Sequence, residues 1–197
     1  MVARVAVLAS GGGSNLQAII DAVADNRLAA EIVAAVSDRP DAGALVRAER
    51  AGIPVIAVPR RRDEPRGDYD RRLADIVAAT GAELVVLAGW MRILTMAFLG
   101  RFPDAVINLH PARPGELPGV DAIERAFAEA RAGTRTSTGV MVHRVPDEGI
   151  DDGPVLATVD VPILVTDTLD TLAARVHTAE HALLVDVLVS LVPEGIR

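Results

Sequence analysis

Short apolar runs alternate with amphipathic stretches through the first half of the chain. Near-continuous apolar runs, typical of strands buried on both faces of a sheet, lie at residues 4–9, 31–36, 55–58 and 84–88. The intervening stretches carry apolar residues at helical spacing, first at Leu16, Ile19, Ile20 and Val23 and then over residues 42–51 and 69–77. Strands that alternate with helices predict an α/β fold with a doubly wound, mostly parallel sheet and right-handed crossovers.

The second half begins in the same way and then changes. A short helix is predicted over residues 95–100, a strand that ends at His110 follows, and another helix covers residues 121–132. Residues 138–143 and 155–161 then resemble two strands without a helix between them, which predicts an antiparallel pair added to the sheet. The final apolar stripe predicts a long terminal helix through Leu169, Leu172, Val176, Leu183, Val187 and Leu191.

The length and composition indicate a soluble protein of one domain. The 197 residues are enough to bury a hydrophobic core. The longest apolar run, Leu84 to Met91, is too short to cross a membrane, and the start of the chain has no signal-peptide pattern. The sequence contains no cysteine, which excludes disulfides and thiolate chemistry, so we expect a cytoplasmic protein.

The charge of the chain narrows the range of functions. Its formal net charge of −7 argues against broad nucleic-acid binding, which needs a basic face. All 20 basic residues are arginine, so a P-loop lysine and a Schiff-base lysine are both excluded. The densest basic cluster, residues 60–62, is followed by Asp63 and Glu64, which favours a solvated loop over a phosphate-binding patch.

An amide and an imidazole stand at the predicted carboxyl end of one strand. Asn108 and His110 follow the apolar run 105–107 and precede a Pro/Gly-rich loop over residues 111–119. Ligands of open α/β sheets bind outside the carboxyl ends of strands, and residues two apart in a strand share a face. The pair can therefore address one substrate atom, with Asn108 as hydrogen-bond donor and His110 as base or acid. The alternative is a turn with a structural histidine.

A glycine-rich segment links the first strand to the first helix. Residues 10–15 are Ser-Gly-Gly-Gly-Ser-Asn, and the following helix begins near Ser14. Free backbone N–H groups and the helix dipole make such a junction an anion site. Leu16 stands where the third glycine of a dinucleotide-binding fingerprint would be, so a single terminal phosphate fits better. The alternative is a tight turn without a ligand.

Further titratable residues are candidates for the same site. Asp151 and Asp152 lie in an acidic Pro/Gly loop between the last two strands, and His143 ends the first of these strands. A carboxylate beside His110 would orient the imidazole and stabilise its charged form. A turn formed by a solvated pair of aspartates is the alternative.

Two histidines on the terminal helix have the spacing of metal ligands. His177 and His181 are i and i+4, but no glutamate follows the first and no third ligand is obvious. We therefore expect ordinary helix-surface residues and no metal site.

Six segments together resemble the folate-dependent glycinamide ribonucleotide formyltransferases, also called phosphoribosylglycinamide formyltransferases, over almost the whole chain. In order they are Ser10-Gly-Gly-Gly-Ser-Asn-Leu-Gln-Ala-Ile, Leu87-Ala-Gly-Trp-Met-Arg-Ile-Leu, Asn108-Leu-His-Pro, Leu117-Pro-Gly, Gly149-Ile-Asp-Asp-Gly-Pro and Arg175-Val-His-Thr-Ala-Glu-His. No single segment is decisive, but the six in this order and spacing are highly specific.

The resemblance implies a fold and an activity. The fold would be a single Rossmann-like formyltransferase domain, 1–197, in which residues 1–100 bind the phosphate and ribonucleotide and residues 101–197 carry the catalytic and folate-binding loops. The activity would be transfer of the formyl group from the cosubstrate 10-formyltetrahydrofolate to the amine of glycinamide ribonucleotide in purine biosynthesis, through a tetrahedral oxyanion. It implies small-molecule partners, no nucleic acid, membrane or metal, and a monomer or homodimer.

The functional residues of the family carry over to matching positions in this chain. The implied catalytic residues are Asn108, His110 and Asp151, because Asp151 rather than Asp152 keeps its place before Asp-Gly-Pro. The implied ribonucleotide contacts, with the phosphate on the glycine loop, are Gly12, Gly13, Ser14, Asn15 and Glu180. The implied folate contacts, which include part of the 145–151 loop, are Arg66, Met91, Arg92, Ile93, Leu94, Val145 and Asp147.

The chain departs from the family's pattern in two loops, and other functions remain open. Residues 112–116 replace the usual Ser-Leu-Leu-Pro after His110-Pro111, and the acidic loop is one residue longer than usual before Asp151. The alternatives with the same fold are a tRNA-formylating enzyme or another 10-formyltetrahydrofolate-dependent formyltransferase, and a formyltetrahydrofolate hydrolase. The tRNA-formylating enzyme and the hydrolase carry a second domain that we do not expect here. A non-catalytic nucleotide-binding module would need only the glycine loop and the sheet.

Overall fold

The structure is a computed structural model that describes residues 2–192, and a seven-stranded sheet forms its centre. The strands are β1 (Ala3–Leu8), β2 (Ala30–Ser37), β3 (Val55–Ala57), β4 (Leu84–Leu87), β5 (Val106–His110), β6 (Ser137–Arg144) and β7 (Val155–Pro162). The helices are α1 (Ser14–Ala24), α2 (Gly43–Arg50), α3 (Arg66–Ala79), α4 (Met96–Leu99), α5 (Ala122–Arg131) and α6 (Leu169–Leu191). These elements confirm the predicted fold class.

The strand order creates a crevice beside β1. The order is β3-β2-β1-β4-β5-β6-β7, with the first five strands parallel. β6 runs antiparallel to β5, and β7 antiparallel to β6, as predicted from the missing helix between them. The chain leaves β1 toward one side and β4 toward the other, and ligands of such sheets bind where the connections diverge.

Helices cover both faces of the sheet, which explains the continuous apolar runs. Val5 and Val7 of β1 pack under α1 and α6, whereas Ala6 and Leu8 pack under α3 and α4. All four side chains are fully buried. Because alternate residues of a strand face opposite sides, a strand between two helical layers needs apolar residues at every position.

The terminal helix α6 closes one layer. It begins with a capping box in which the Thr168 hydroxyl accepts from the Thr171 N–H and the Thr171 hydroxyl accepts from the Thr168 N–H. It packs against α1, α5, β6 and β7, which brings residues 177–180 to the edge of the crevice. Within residues 2–192, no helix is long and apolar enough to cross a membrane. Residues 60–63 are exposed, which confirms the predicted solvated loop.

Candidate functional site

One cleft of about 460 Å³ opens at the carboxyl ends of β1, β4 and β5. The glycine loop after β1 lies on one side, and residues 87–94 after β4 lie beside it. Residues 108–111, the first turn of α5 and the loop between β6 and β7 complete the wall, together with two side chains of α6. Three loops that the sequence singled out therefore meet in one cavity.

Asp151 joins the two polar side chains of β5. Its Oδ1 accepts a hydrogen bond from Asn108 Nδ2 at 2.9 Å, and its Oδ2 lies 3.2 Å from His110 Nδ1. The backbone N–H of Gly119 also donates to Oδ2, at 2.8 Å. Asp152 is exposed and makes no hydrogen bond with these groups in the described chain. The structure thus brings Asn108, His110 and Asp151 together.

His110 is buried, with only 3% of its surface exposed, and both ring nitrogens face acceptors. Its Nε2 lies 3.0 Å from the Leu117 carbonyl oxygen, opposite the contact with Asp151. Burial lowers the pKa of His110, and the Asp151 carboxylate together with backbone carbonyls opposes part of that shift. The ring therefore gains a proton less readily than a free imidazole, and Asp151 stabilises it once it does.

The carboxyl group of Asp151 is held in its charged form. Burial raises the pKa of Asp151, but the Gly119 N–H and the positive charge that His143 or His110 gains on protonation lower it by more. The net pKa lies below the ordinary value of an aspartate. Asp151 is consequently a carboxylate at neutral pH, ready to balance a positive charge on His110.

His143 lies on the other side of Asn108. The antiparallel register of β5 and β6 places the two residues opposite each other. His143 Nε2 is 3.1 Å from Asn108 Nδ2 and 3.6 Å from Asp151 Oδ1, and His143 Nδ1 is 2.8 Å from the Arg144 carbonyl oxygen. His143, which the sequence marked as a candidate for this site, contacts Asn108 directly.

The glycine loop lies tightly against α2. Gly13, at φ +76°, is the N-cap of α1, and no side chain caps the helix there. A Cβ at Gly13 would stand 2.5 Å from Ala44 Cα, so this position accepts only glycine. Gly12, Ser14 and Asn15 line the cleft beside the uncapped first turn of α1. This arrangement presents backbone N–H groups to an anion.

Glu180 faces the cleft from α6 in a buried position. It is 5% exposed, and its Oε2 accepts a hydrogen bond from His177 Nδ1 at 2.7 Å. This bond raises the pKa of His177. His177 is exposed on α6, as predicted for a helix-surface residue, and its imidazole also lines the cleft beside Glu180. Among residues 2–192, no cluster of three or more His, Asp or Glu side chains could hold a metal ion.

The predicted folate contacts form the remaining wall, with one exception. The wall contains Met91, Arg92, Ile93, Leu94, Val145 and Asp147. Arg92 is fixed by Asp38, whose Oδ2 accepts from its Nε at 2.7 Å. Arg66 does not line the cleft itself. Its Nε donates to the Ile93 carbonyl at 3.2 Å and its Nη2 pairs with Glu148 at 3.2 Å, which places Arg66 at the rim.

Sequence reasoning missed two backbone groups that take part in the site. The Leu117 carbonyl contacts His110, and the Gly119 N–H contacts Asp151. Both residues have positive φ angles, +47° and +83°. The Leu-Pro-Gly segment that contains them was the available signal, but side-chain chemistry alone does not assign a role to main-chain atoms.

The relatives of this chain identify its family. The profile of the Formyl transferase family matches residues 3–188. The phosphoribosylglycinamide formyltransferase of Schizosaccharomyces pombe is 41% identical over 207 residues, covering 99% of this chain and 100% of the relative. The Escherichia coli enzyme of the same name is 38% identical over 180 residues, covering 91% and 82%. The crystal structure of phosphoribosylglycinamide formyltransferase from Bacillus halodurans has a TM-score of 0.90 at 34% identity, covering 97% of this chain and 96% of its own. The chain belongs to the formyl transferase family.

Proposed function

We propose that the protein is a folate-dependent phosphoribosylglycinamide formyltransferase of purine biosynthesis. It transfers the formyl group of 10-formyltetrahydrofolate to the amine of glycinamide ribonucleotide. The observation that carries the proposal is a single cleft that joins the glycine loop of α1 to the cluster of Asn108, His110 and Asp151. An acceptor with a phosphate at one end and an amine at the other can engage both. Relatives over nearly the full chain carry this activity in their names.

The two substrates divide the cleft between them. The phosphate goes to the backbone N–H groups of residues 12–15, and the buried carboxylate of Glu180 receives polar groups of the ribonucleotide. The folate lies against the apolar residues Ile93, Leu94 and Val145, with Arg92 and Asp147 as polar contacts. The guanidinium of Arg66 at the rim suits the carboxylates of a folate tail.

The reaction requires attack by an amine and two proton movements. The amine nitrogen bonds to the formyl carbon, the carbonyl oxygen becomes an oxyanion, the amine loses a proton, and the bond to N10 breaks as N10 gains one. His110 mediates these proton movements, because burial favours its neutral form and Asp151 stabilises the imidazolium. No step needs a metal ion or a covalent enzyme intermediate.

Asn108 is the side chain that stabilises the oxyanion. Its Nδ2 carries two hydrogens and lies 2.9 Å from Asp151 Oδ1 and 3.1 Å from His143 Nε2. A developing oxyanion is a stronger acceptor than a neutral imidazole nitrogen, so it competes for an amide hydrogen as its charge grows. An interaction that strengthens along the reaction lowers the barrier rather than only tightening substrate binding.

The experiment that tests this function compares acceptors. Purified protein receives 10-formyltetrahydrofolate with glycinamide ribonucleotide, with an aminoacylated tRNA, or with water alone, and release of tetrahydrofolate is followed together with formylated product. We expect formyl transfer to the ribonucleotide and slow turnover otherwise, because only the ribonucleotide gains positioning from the glycine loop. Rapid release that the ribonucleotide does not alter would indicate a hydrolase. Preferred formylation of tRNA would contradict the phosphate assignment.

The proposal extends to partners and location. The partners are small molecules, because a net charge of −7 offers little attraction to a polyanion such as tRNA. The enzyme acts in the cytoplasm, a location that its cysteine-free sequence favours. It is a monomer or a homodimer, and sedimentation at several protein concentrations distinguishes the two.

A further inference from the structure

We propose that His143 is a positioning residue, which fixes the orientation of the Asn108 side-chain amide so that its nitrogen faces the reaction centre. The proposed function supplies the reacting groups on which this inference rests. The contact itself does not depend on that function. His143 is buried, with 2% of its surface exposed, and its Nε2 lies 3.1 Å from Asn108 Nδ2.

The carbonyl group of Arg144 determines which ring nitrogen of His143 carries the hydrogen. Nδ1 lies 2.8 Å from the Arg144 carbonyl oxygen, which can only accept, so Nδ1 carries a hydrogen. In the neutral ring Nε2 is then an acceptor. The amide group of Asn108 must direct an N–H toward that lone pair, because the lone pairs of the amide oxygen would repel the lone pair of Nε2. This chemical argument decides which end of the amide is nitrogen, although the two ends have nearly the same shape.

A second acceptor reinforces the same orientation. Asp151 Oδ1, in the loop between β6 and β7, lies 2.9 Å from Asn108 Nδ2. A flipped amide would place its oxygen against both the imidazole lone pair and the carboxylate. It would also present an oxygen where the oxyanion forms. His143 and Asp151 therefore exclude the flipped amide before substrate binds, which is preorganisation of the oxyanion donor.

Two substitutions separate the two ends of the His143 ring. The amide of His143→Asn reaches about the place of Nδ1, keeps the bond to Arg144, and loses the acceptor for Asn108. The amide of His143→Gln reaches about the place of Nε2 and restores an acceptor. We expect His143→Asn to lower kcat by about 10- to 100-fold, as when the orienting partner of a functional side chain is lost. The KM of both substrates should change little, and His143→Gln should recover most of kcat.

A double-mutant cycle tests whether His143 acts through Asn108. Asn108→Ala alone should lower kcat by about 10²- to 10³-fold, as for loss of one oxyanion donor. In that background His143→Asn should cause no further loss, because the amide that it orients is gone. A purely structural role would lower kcat by the same factor in both backgrounds, and that result would overturn the proposal. Equal losses in His143→Asn and His143→Gln, with both variants folded, would also overturn it.

A spectroscopic readout needs neither a variant nor turnover. Long-range ¹H–¹⁵N correlation of the wild-type protein, recorded at a pH where the His143 ring is observed to be neutral, should show the hydrogen at Nδ1 and none at Nε2. Protonation at Nε2 would overturn the proposal, because the ring could then not accept from Asn108. If wild-type protein fails to formylate glycinamide ribonucleotide, the proposed function fails. The tautomer of His143 would then still test whether its ring accepts a hydrogen bond from Asn108.

Discussion

Asp151 adopts a backbone conformation that most residues avoid. Its φ of +54° lies in the left-handed region, which costs an L-residue about 1–2 kcal/mol, somewhat less for aspartate. That conformation directs the carboxylate to Asn108, His110 and the Gly119 N–H at once. Strain of this kind clusters at functional sites, where surrounding contacts offset it. The neighbouring Asp152, without such contacts, provides a matched control.

The first prediction compares these two aspartates. Asp151→Asn should lower kcat by about 10²- to 10⁴-fold, because the imidazolium of His110 loses its counter-charge. Asp152→Asn should be far milder, since that side chain is exposed and does not contact the cluster. Steady-state rates with both substrates saturating measure the effect, and unfolding midpoints check that both variants fold. The reverse ranking would move the functional carboxylate by one position.

The second prediction concerns the proton affinity of His110. Burial lowers the pKa of His110 and the charge of Asp151 raises it. Asp151→Asn removes the opposing effect, so the pKa of His110 should fall further below 6.5. An NMR titration of the ring protons in wild type, Asp151→Asn and Asp152→Asn measures this shift. A pKa that rises in Asp151→Asn, or that falls equally in Asp152→Asn, would contradict the coupling.

Residues of this site differ in how far the sequence could predict them. Asn108, His110 and Asp151 were proposed from motif position and resemblance, and the fold brings all three within hydrogen-bonding reach. The carbonyl of Leu117 could not be proposed, because its direction depends on a positive φ angle in an irregular loop. His177 is exposed on α6 as predicted, but the sequence does not predict its contact with Glu180 at the cleft. That contact lies at the cleft because α6 packs against other elements, and the periodicity of the sequence does not contain this packing.

At the scale of elements, the junction of β1 and α1 is built against α2. The Ala44 N–H donates to the Gly11 carbonyl at 3.0 Å, and Arg47 Nε donates to the Gly12 carbonyl at 2.8 Å. Only at Gly13 would a Cβ meet α2, whereas the ideal Cβ of Gly12 meets nothing within 4 Å. The three glycines therefore have different physical roles.

The third prediction follows from this difference. Gly13→Ala should lower the free energy of unfolding by about 2–4 kcal/mol, because it combines a positive φ with a close contact to Ala44. Gly12→Ala should change the free energy by less than about 0.5 kcal/mol. It should raise the KM for the ribonucleotide more than that for the folate, since Gly12 lines the cleft. Urea unfolding and steady-state kinetics test both statements, and equal destabilisation would contradict the assignment.

The loop between β5 and α5 is held by two arginines. Arg113 Nε donates to Asp160 at 2.6 Å, across to β7. Arg135 donates to Glu116 at 2.5 Å and to Glu129 at 2.7 Å, and so joins the loop to α5. The unusual sequence of residues 112–116 thus has its own anchors, which keep the Leu117 carbonyl beside His110.

The fourth prediction ranks these anchors. The Arg135 side chain is 14% exposed and serves two carboxylates, whereas Arg113 pairs with Asp160, which is 74% exposed. Arg135→Met should lower the free energy of unfolding by about 1–2 kcal/mol, because it removes two ion pairs made by one mostly buried guanidinium. Arg113→Met should cost less than about 1 kcal/mol. Hydrogen exchange over residues 112–119 should accelerate more in Arg135→Met. Equal exchange in the two variants would show that Arg135 is not the main anchor.

The helices and strands could be predicted from the sequence, because burial of particular faces requires apolar residues at regular spacing. β1 and β4 lie between two helical layers and are apolar at successive positions, while α6 buries one stripe that includes Leu172, Val176 and Leu188. Loops obey no such period. The contact of Asp151 with Asn108 spans 43 residues, and it depends on two loops that the pattern only marks as rich in proline and glycine.

At the scale of the whole molecule, the pKa values of titratable groups predict the pH range in which the fold is most stable. In the folded protein, the pKa lies below the ordinary value for several carboxyl groups, mostly through bonds with arginine, as at Asp160, Asp167 and Glu64, the last lowered to about 2. Such groups stabilise the fold at any pH above the pKa that they have in the unfolded chain. This contribution is lost as the pH falls through their lower pKa in the folded protein. Burial lowers the pKa of His110 and that of His181, which acts in the same direction below pH 6.5. His177, whose pKa Glu180 raises, opposes it by stabilising the fold at low pH.

The fifth prediction is a steep loss of stability in acid that depends on Asp167. Below pH 6.5 the contributions of His110 and His181 lower the free energy of unfolding and that of His177 raises it, and the free energy should fall steeply below about pH 4.5 as carboxylates gain protons. Asp167 links the start of α6 to Arg175 through bonds of 2.7 Å to both carboxylate oxygens.

The measurement is urea unfolding of wild type and Asp167→Asn from pH 7 to pH 2. The two proteins should differ most near neutrality and converge as the pH falls, because protonation of Asp167 removes the same ion pair that the substitution removes. Asp75→Asn is the control, since Asp75 is exposed on α3 and makes no hydrogen bond within the described chain. A difference between wild type and Asp167→Asn that stays constant down to pH 2 would show that Asp167 acts through packing or capping and not through its charge.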